Sequence, residues 1–282
     1  MAEILKGAPV VSALSDRQKE QVTELNKKGV SPTLAILRVG ERQDDLSYES
    51  GAIKRCEAVG VQVKKVTLPA DVDEDAFFET LSSLNADNSV HGILMFRPLP
   101  AHLDGERARQ MLVHEKDVDG CTDLSLAGVF TNTKTGFAPC TAQAAIEVLA
   151  HYGVETNGKR AVVIGRSLVV GRPVAMMLMH KNATVTICHT RTKDVAGIAK
   201  EADILIACSG QPESIDASYL REGQTVIDVG INWNEEKAKL VGDVKFDEAE
   251  QIVGAITPVP GGVGAVTTCV LVSHVIEAAM RS

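Results

Sequence analysis

The stretch that decides the fold is Ala161-Val-Val-Ile-Gly165-Arg-Ser167-Leu-Val-Val-Gly171-Arg-Pro173. Its apolar run ends at Gly165, and a helix is predicted to begin near Gly171, with Pro173 in the first turn, where a missing N–H costs nothing. This is a variant of the G-x-G-x-x-G turn, with Ser167 at the second glycine position, and such turns bind the pyrophosphate of a dinucleotide. A tight strand-to-helix turn needs glycine in any protein. This motif alone is therefore also compatible with a turn that has only a structural role.

Strands and helices alternate on both sides of this turn. Downstream, the predicted elements are helix Gly171–His180, strand Ala183–His189, helix Asp194–Ala202, and strands Ile204–Cys208 and Thr225–Val229. Upstream, they are strand Thr33–Val39, helix Leu46–Val59, strand Val61–Leu68, helix Asp73–Leu84, strand Val90–Phe96, a loop-rich region Lys116–Thr141 and helix Ala142–His151. Strands joined by helical crossovers form parallel sheets. Two such series predict an α/β protein of two domains with a cleft between them.

The strand after the glycine turn bears on which dinucleotide binds. Sites for NAD place an acidic residue at the end of this strand, where it holds both ribose hydroxyls. Here the strand ends in His189-Thr190-Arg191, so no carboxylate would repel a 2′-phosphate, and Arg166 and Thr190 could contact one. NADP is therefore favoured over NAD. The alternative is that Arg166 is a solvated surface residue and Thr190 a helix cap.

Two later turns follow predicted strands, and a third segment is rich in proline and glycine. They are Cys208-Ser-Gly210-Gln-Pro212, Asp228-Val-Gly-Ile231-Asn232 and Thr257-Pro-Val-Pro260-Gly261-Gly262-Val-Gly264. Ligands of open α/β sheets bind at the carboxyl ends of the strands. A stiff segment with few side chains is suited to lie against a flat ligand, and a plain structural loop is the alternative.

Composition excludes several function classes. The chain has 282 residues, of which 45% are hydrophobic, 23% charged and 4% aromatic. The net charge of −8 and the lack of a dense basic stretch argue against nucleic-acid binding. No run of about eighteen apolar residues was evident, which argues against a membrane protein.

The cysteines and the N-terminal region indicate a reducing compartment. The six cysteines are scattered, with no C-x-x-C pair and no histidine at zinc-ligand spacing, so we expect reduced, buried thiols and no metal. Residues 1–19 lack the pattern of a signal peptide. We therefore expect a cytoplasmic protein.

Six motifs together strongly resemble the methylenetetrahydrofolate dehydrogenase/cyclohydrolase family of the bacterial FolD type. They are Lys116-Asp-Val-Asp119-Gly120, Pro139-Cys-Thr141, the glycine turn from Gly165 to Pro173, Asp228-Val-Gly-Ile-Asn232, Gly242-Asp-Val244 and Ile256-Thr-Pro-Val-Pro-Gly-Gly-Val-Gly264. The resemblance covers essentially the whole chain in the family's order. It implies a homodimer whose residues 1–140 plus 266–282 form an α/β folate-binding domain, and whose residues 141–265 form a Rossmann-like NADP-binding domain.

The resemblance also assigns site residues. It implies that Tyr48 stacks on the folate's aminobenzoyl ring and that the Asp119 carboxylate accepts two parallel hydrogen bonds from the pterin. The alternatives are a core tyrosine and a loop-capping aspartate. The other expected substrate contacts are Pro260, Gly261 and Gly262. The expected cofactor contacts are Gly165, Arg166, Ser167, Gly171, Thr190, Gly210 and Ile231.

Two positions depart from the family pattern. Family members with both activities have a lysine four residues after the tyrosine and a glutamine before the L-P-L-P turn. In this chain those positions are Ala52 and Phe96, and Arg97 follows in place of an apolar residue. The nearest lysine, Lys54, lies two residues beyond Ala52, about 200° away around a helix.

These departures predict a split between the two reactions of the family. Oxidation of methylenetetrahydrofolate removes a hydride, so the protein only has to hold the substrate against the cofactor. Hydrolysis of the methenyl product also needs a side chain that accepts and donates a proton. We therefore expect an NADP-dependent dehydrogenase whose cyclohydrolase activity is lost or weak. The alternatives are a fully bifunctional enzyme, a catalytically silent homologue that binds NADP and folate, and an unrelated Rossmann dehydrogenase.

Overall fold

The chain folds into two compact units. The computed structural model describes residues 1–282. The six-stranded unit comprises Met1–Ser12 and Thr141–Thr267, and the three-stranded unit comprises Ala13–Cys140 and Thr268–Ser282.

The elements are numbered in chain order. The strands are β1 (Glu3–Ile4), β2 (Thr33–Val39), β3 (Gln62–Leu68), β4 (Gly92–Met95), β5 (Arg160–Ile164), β6 (Thr184–Cys188), β7 (Ile204–Ala207), β8 (Thr225–Asp228), β9 (Asn232–Asn234), β10 (Lys239–Val241) and β11 (Ala255–Ile256). The helices are α1 (Gly7–Lys27), α2 (Gln43–Val59), α3 (Glu74–Ala86), α4 (Gly105–Met111), α5 (Asp123–Thr131), α6 (Cys140–His151), α7 (Gly171–His180), α8 (Val195–Lys200), α9 (Phe246–Ala249) and α10 (Val263–Arg281).

The three-stranded unit is built on a parallel sheet with the order β3-β2-β4. The central strand β2 is buried at six of its seven positions, which explains why its sequence is mostly apolar, and the buried Arg38 within it is paired with the Glu49 carboxylate. Helix α2 ends at Gly60, whose positive φ of 86° allows its N–H to bond to the last turn. Helix α3 begins where the Asp73 carboxylate accepts a hydrogen bond from the Ala76 N–H, and it buries Phe77 and Leu81 against the sheet.

The six-stranded unit carries a parallel sheet with the order β1-β11-β8-β7-β5-β6. Strand β5 pairs with β6 on one side and β7 on the other. The chain order therefore reverses between β5 and β7, and this is the point in a doubly wound sheet where ligands bind. Strands β9 and β10 form a separate antiparallel pair.

The predicted α/β fold with two parallel sheets is confirmed. Every predicted strand and helix is present, most with ends within three residues of the predicted ones. The prediction of a loop-rich stretch over Lys116–Thr141 was wrong in part, because α5 lies there. Thr122 starts that helix by accepting a hydrogen bond from the Ser125 N–H, and Asn132 ends it in the left-handed conformation.

The N-terminal segment differs from the expected domain division. Residues 1–12 were assigned to the first domain, but they group with the six-stranded unit. The reason is backbone pairing, because β1 lies parallel to β11, with Glu3 opposite Ala255. A strand of two residues carries too little periodicity to be predicted from sequence.

Helix α10 alone is long and apolar enough to span a membrane by length and composition. The prediction that the chain has no apolar run of about eighteen residues was therefore wrong for this helix. Two thirds of the apolar window is buried inside the folded chain, as in the core helix of a globular protein.

Candidate active site

Tyr48 and Phe96 are in contact within the three-stranded unit. Tyr48 lies on α2, and Phe96 follows the last residue of β4. The ring centroids are 5.9 Å apart and the planes are inclined by 88°, which is an edge-to-face contact. Burial raises the pKa of the Tyr48 phenol well above its usual range, and the nearby Asp119 carboxylate adds to this effect. The phenol therefore stays protonated at neutral pH.

Ala52 and Lys54 lie on different sides of the same helix. Ala52, one turn beyond Tyr48, is completely buried, whereas the Lys54 side chain is exposed to solvent. An ammonium group on the exposed side of α2 cannot replace one at Ala52 without a change in the helix. The helix geometry therefore agrees with the angular separation expected from the sequence.

The two carboxylates of Lys116-Asp117-Val118-Asp119-Gly120 have different roles. Asp117 is fully buried, and it accepts hydrogen bonds from the Cys121 N–H (3.0 Å), the Thr122 N–H (2.8 Å) and the Ser125 hydroxyl (2.6 Å). It is thus the loop-capping residue of the motif. Asp119 makes no hydrogen bond of this kind in the loop, so its carboxylate can accept hydrogen bonds from a ligand.

The surroundings of Asp119 determine its charge. Burial raises the pKa of this carboxyl group to about 6, and the Asp117 charge adds to the rise. The Arg97 guanidinium acts in the opposite direction, with 3.5 Å between Arg97 Nη2 and Asp119 Oδ2, and the nearby Cys140 side chain also lowers the pKa. Asp119 is therefore mostly ionised at neutral pH.

Contacts on both sides of Asp119 fix the backbone of the loop. The Lys116 ammonium donates to the carbonyl oxygens of Leu84, Asn85 and Asp87 at the end of α3, at 2.8–3.1 Å. The Val118 carbonyl oxygen accepts from the Cys140 thiol (3.2 Å) and from His274 Nδ1 (2.9 Å). The motif thus holds its second aspartate on a rigid loop.

The glycine turn after β5 lies at the switch point of the six-stranded sheet. Gly165 has φ of +133°, and a Cβ there would overlap the Cys208 carbonyl oxygen at the end of β7. A Cβ at Gly171 would overlap the Gly165 carbonyl oxygen. The Ser167 hydroxyl accepts a hydrogen bond from the Val170 N–H (3.1 Å), which shapes the start of α7. These glycines allow the chain to turn tightly into a helix N-terminus that can bind a phosphate.

Arg166 and Thr190 follow the neighbouring strands β5 and β6, which are paired up to Ile164 and Cys188. Both side chains are exposed, as is Arg191. The first acidic residue after β6 is Asp194, and its carboxylate accepts a hydrogen bond from the Gly197 N–H at the start of α8. The carboxyl edge of β6 thus presents cationic and hydroxyl groups without a free carboxylate.

Two buried aspartates hold the loops after β7 and β8. Asp228 accepts hydrogen bonds from the backbone N–H groups of Gly230, Asp243 and Val244. Asp243 accepts from both the N–H and the hydroxyl of Ser209, from the Gly210 N–H and from the Asn232 amide. Burial raises the pKa of Asp228 to about 7, against the effect of its backbone donors. We call this pair the Asp228–Asp243 clamp.

A cavity of about 260 Å³ lies beside the clamp, within the six-stranded unit. Four residues expected to bind ligands line it, namely Ile231, Pro260, Gly261 and Gly262. The structure therefore brings together residues that were assigned separately to cofactor and substrate. Ile231 is 60% exposed, which is unusual for an isoleucine in a folded domain.

All six cysteines are free thiols, five of them buried and Cys208 half-buried. No group of three or more His, Cys, Asp or Glu side chains could hold a metal ion.

The sequence reasoning gave no role to Arg97, Asp117 or Asp243. Arg97 was detectable as a charged residue at a position expected to be apolar. The roles of Asp117 and Asp243 depend on contacts with Ser125 and Ser209, respectively. The motif Gly242-Asp-Val244 was noticed, but no local pattern indicated that its aspartate accepts hydrogen bonds from residues 33 and 34 positions away.

Comparisons with known proteins place the chain in a family. Residues 5–119 match "Tetrahydrofolate dehydrogenase/cyclohydrolase, catalytic domain", and residues 139–282 match the NAD(P)-binding domain of the same family. A "Bifunctional protein FolD" of Carboxydothermus hydrogenoformans is 48% identical, with 99% of this chain and 97% of the relative covered. One of Clostridium botulinum is 43% identical over the full length of both chains.

Solved structures agree with these matches. The bifunctional FolD enzyme of Campylobacter jejuni superposes with a TM-score of 0.96 at 34% identity, covering 100% of this chain and 99% of the other. The Trypanosoma brucei FolD, complexed with NADP cofactor and inhibitor, gives a TM-score of 0.92 at 35% identity, covering 99% of this chain and 98% of the other. From end to end, the chain belongs to the tetrahydrofolate dehydrogenase/cyclohydrolase family.

Proposed function

We propose that this protein oxidises 5,10-methylenetetrahydrofolate to 5,10-methenyltetrahydrofolate with NADP, and that it hydrolyses the methenyl product weakly or not at all. Family membership and the relatives named as bifunctional FolD proteins support the first part. The second part rests on the residues around Tyr48.

Folate binding is proposed for the three-stranded unit. Tyr48 presents a half-buried ring, and Asp119 presents a carboxylate held on a rigid loop. A charged carboxylate can accept two parallel hydrogen bonds from the amidine-like edge of a pterin. These residues bind and orient, and hydride removal requires no protein group to carry a proton.

NADP binding is proposed for the six-stranded unit, and the residues present fit this cofactor. Gly165, Ser167 and Gly171 form the tight turn into α7, where backbone N–H groups can bind the pyrophosphate. Arg166 and Thr190 would hold the 2′-phosphate, while Gly210 and Ile231 would lie near the rest of the cofactor. When bound, NADP⁺ supplies the hydride acceptor of the reaction.

The loss of hydrolysis is proposed from the observation that carries the argument, namely the aromatic contact of Tyr48 with Phe96 beside a fully buried Ala52. Hydrolysis needs a group that takes a proton from water and returns one to the departing nitrogen. Neither Ala52 nor Phe96 can carry a proton, and Lys54 is exposed. The Tyr48 phenol is kept protonated by burial, so it does not act as a base near neutral pH.

A fully bifunctional enzyme is the second candidate, and one observation favours it. Asp119 has a pKa of about 6, which is suitable for a general base. This role would conflict with pterin binding, because a carboxylate that accepts two hydrogen bonds from the substrate is a poor acceptor for the proton of water. A silent homologue that binds NADP and folate is rejected by any NADP-dependent turnover of methylenetetrahydrofolate.

We also propose that the protein is a homodimer, as the family resemblance implies, and that it is cytoplasmic, as its scattered free cysteines indicate. Sedimentation equilibrium of the purified protein tests the assembly. A mass near 60 kDa is expected from a chain of 30.0 kDa, and a monomer mass would contradict it.

The proposed function is tested by assaying the dehydrogenase with NADP and NAD in parallel and then following the methenyl product. We expect faster turnover with NADP and accumulation of the methenyl product, which decays at its uncatalysed rate. Enzymatic hydrolysis that is abolished in Lys54→Ala would contradict the assignment of Lys54 as a surface residue. Enzymatic hydrolysis that persists in Lys54→Ala would favour the bifunctional candidate.

A further inference from the structure

The dipeptide Phe96-Arg97 contacts both residues that are proposed to bind folate. Phe96 packs edge-on against Tyr48, and the Arg97 guanidinium forms an ion pair with Asp119. The side chains of Arg97 and Asp119 are 31% and 29% exposed, so the pair is only partly screened by water. The residue that replaces an apolar one therefore acts on the carboxylate proposed to bind the pterin.

We propose that Arg97 is a positioning residue for the reaction: its guanidinium keeps the Asp119 carboxylate charged and oriented for the pterin. The inference rests on the proposed folate site, because it assigns a task to Asp119 there. Arg97 itself need not touch the substrate.

The distance in the pair suits this role. The approach of 3.5 Å between Arg97 Nη2 and Asp119 Oδ2 is longer than the 2.7–2.9 Å of a tight charge-assisted hydrogen bond. A loose ion pair supplies electrostatic stabilisation and leaves the carboxylate oxygens able to accept hydrogen bonds from a ligand. A tight bidentate pair would compete with the pterin for the same oxygens.

The other charged and titratable groups that act on Asp119 do not supply this positive charge. Asp117 is an anion, and it opposes ionisation of Asp119. The thiols of Cys140 and Cys121 and the phenol of Tyr48 are neutral near pH 7, because burial raises the pKa of each. Among these groups, Arg97 is the cation.

The chemistry of the pterin makes the charge state of Asp119 decisive. The amidine-like edge offers two parallel donors, which fit an ionised carboxylate. A protonated carboxyl group has one donor and fewer acceptor positions, so one of the two hydrogen bonds is replaced by a contact between two donors. Binding should therefore weaken as Asp119 becomes protonated.

The test compares the pH dependence of kcat/KM for methylenetetrahydrofolate in the wild type and Arg97→Met. An opposite charge at this distance lowers the pKa of a carboxyl group by about one unit or more. At low pH, kcat/KM should fall as Asp119 becomes protonated, and we call this fall the acid limb. In Arg97→Met we expect the midpoint of the acid limb to lie about one pH unit higher. Near pH 6 this shift gives about a fivefold lower kcat/KM, mainly through a higher KM. The difference should vanish above about pH 8, where Asp119 is ionised in both proteins.

Two control variants separate this role from a purely structural one. Arg97→Lys keeps the charge and should keep the acid limb of the wild type. Arg42→Met removes a different cation that contacts the same turn, where Arg42 Nη1 donates to the Pro98 carbonyl oxygen at 3.1 Å. This variant should not shift the limb. A loss in Arg97→Met that is equal at every pH, or equal to that of Arg42→Met, would overturn the proposal.

A second measurement does not depend on the substrate. The carbon-13 resonance of the Asp119 carboxyl group, assigned by its absence in Asp119→Asn, is titrated in the free wild type and in Arg97→Met. A higher midpoint in the variant is expected, and an unchanged midpoint would overturn the role of Arg97. If the wild type fails to oxidise methylenetetrahydrofolate while the midpoint still moves, the proposed function fails and the electrostatic action of Arg97 stands.

Discussion

Each unit has two aspartates in or beside its candidate site, but the two pairs differ in their hydrogen bonds. In the Asp228–Asp243 clamp, both carboxylates are buried and accept three or more hydrogen bonds from the protein. In the three-stranded unit, Asp117 is bonded in the same way, whereas Asp119 has an ion pair with Arg97 and a thiol neighbour. Three of the four carboxylates therefore hold loops, and Asp119 can bind a ligand.

The comparison shows that a motif residue is assigned by its hydrogen bonds rather than by its residue type. Asp-Val-Asp-Gly and Gly-Asp-Val each contain an aspartate that stabilises the local fold. Buried carboxylates bonded to backbone N–H groups are expected to matter for stability. A carboxylate with few protein donors in a buried place is expected to matter for binding.

The largest expected effect separates Asp119 from Asp117. We expect Asp119→Asn to lower kcat/KM for methylenetetrahydrofolate about a hundredfold, because one of the two hydrogen bonds from the pterin meets an amide donor instead of an oxygen. The free energy of unfolding should change by less than about 1 kcal/mol, because Asp119 is partly exposed and its ion pair with Arg97 is loose. Asp117→Asn should instead lower the unfolding free energy by about 2 kcal/mol. Steady-state kinetics and urea denaturation check both variants, and the comparison fails if they behave alike.

A smaller effect is expected when the Asp228–Asp243 clamp loses one hydrogen-bond acceptor. Asp243→Asn replaces one acceptor oxygen by an N–H₂ group that faces donors from Ser209 and Gly210. We expect the free energy of unfolding to fall by about 2 kcal/mol and KM for NADP to rise. Asp247→Asn, which changes an exposed carboxylate of the same unit, is the control. Equal urea midpoints for the two variants would show that the clamp does not hold the loops.

In the three-stranded unit, we expect that two substitutions can raise the rate of methenyltetrahydrofolate hydrolysis about tenfold. The double variant Ala52→Lys with Phe96→Gln places a lysine at a fully buried position, and burial lowers the pKa of an ammonium group toward the range of a general base. We expect methenyltetrahydrofolate hydrolysis to exceed that of the parent. Gly51→Lys with Phe96→Gln introduces the same residue types one position away. If both variants hydrolyse equally, position 52 has no special role.

The smallest effect concerns the cofactor. Arg166→Gln should reduce the preference for NADP over NAD by about fivefold, because an exposed arginine contributes about 1 kcal/mol to the binding of a phosphate. Arg160→Gln changes a residue at the opposite end of β5 and should leave the preference unchanged. The ratio of kcat/KM values for the two cofactors is the measurement. An unchanged ratio in Arg166→Gln would indicate a different 2′-phosphate contact, such as Arg191.

Much of the fold could be predicted from local patterns. The mostly apolar run of Thr33–Val39 predicted strand β2, and the glycine turn at Gly165 predicted the start of helix α7. Both predictions succeeded because strand burial and helix starts depend on local sequence. The strand at Glu3 and Ile4 could not be predicted, because its pairing with β11 joins residues some 250 positions apart in the chain. The helix after Thr122 had its caps in the sequence, but it is too short for a strong periodic signal.

The candidate site was predicted less evenly. Tyr48 and Asp119 were assigned by resemblance, and the structure places both beside the Phe96-Arg97 dipeptide. Nothing in the sequence indicated that Arg97 would face Asp119, because this contact depends on how the turn after β4 meets the loop of Lys116–Gly120. Charge pairs between such loops are tertiary properties and are not encoded in residue spacing.

The most direct test of the central claim is the rate of methenyltetrahydrofolate hydrolysis with and without the purified protein, in the same buffer that supports NADP-dependent oxidation of methylenetetrahydrofolate. With the wild-type protein, we predict rapid oxidation and a hydrolysis rate equal or close to that of the protein-free control. A hydrolysis rate that rises in proportion to protein concentration and matches the oxidation rate would contradict the account. It would show that the enzyme is fully bifunctional although Ala52 and Phe96 replace the lysine and the glutamine.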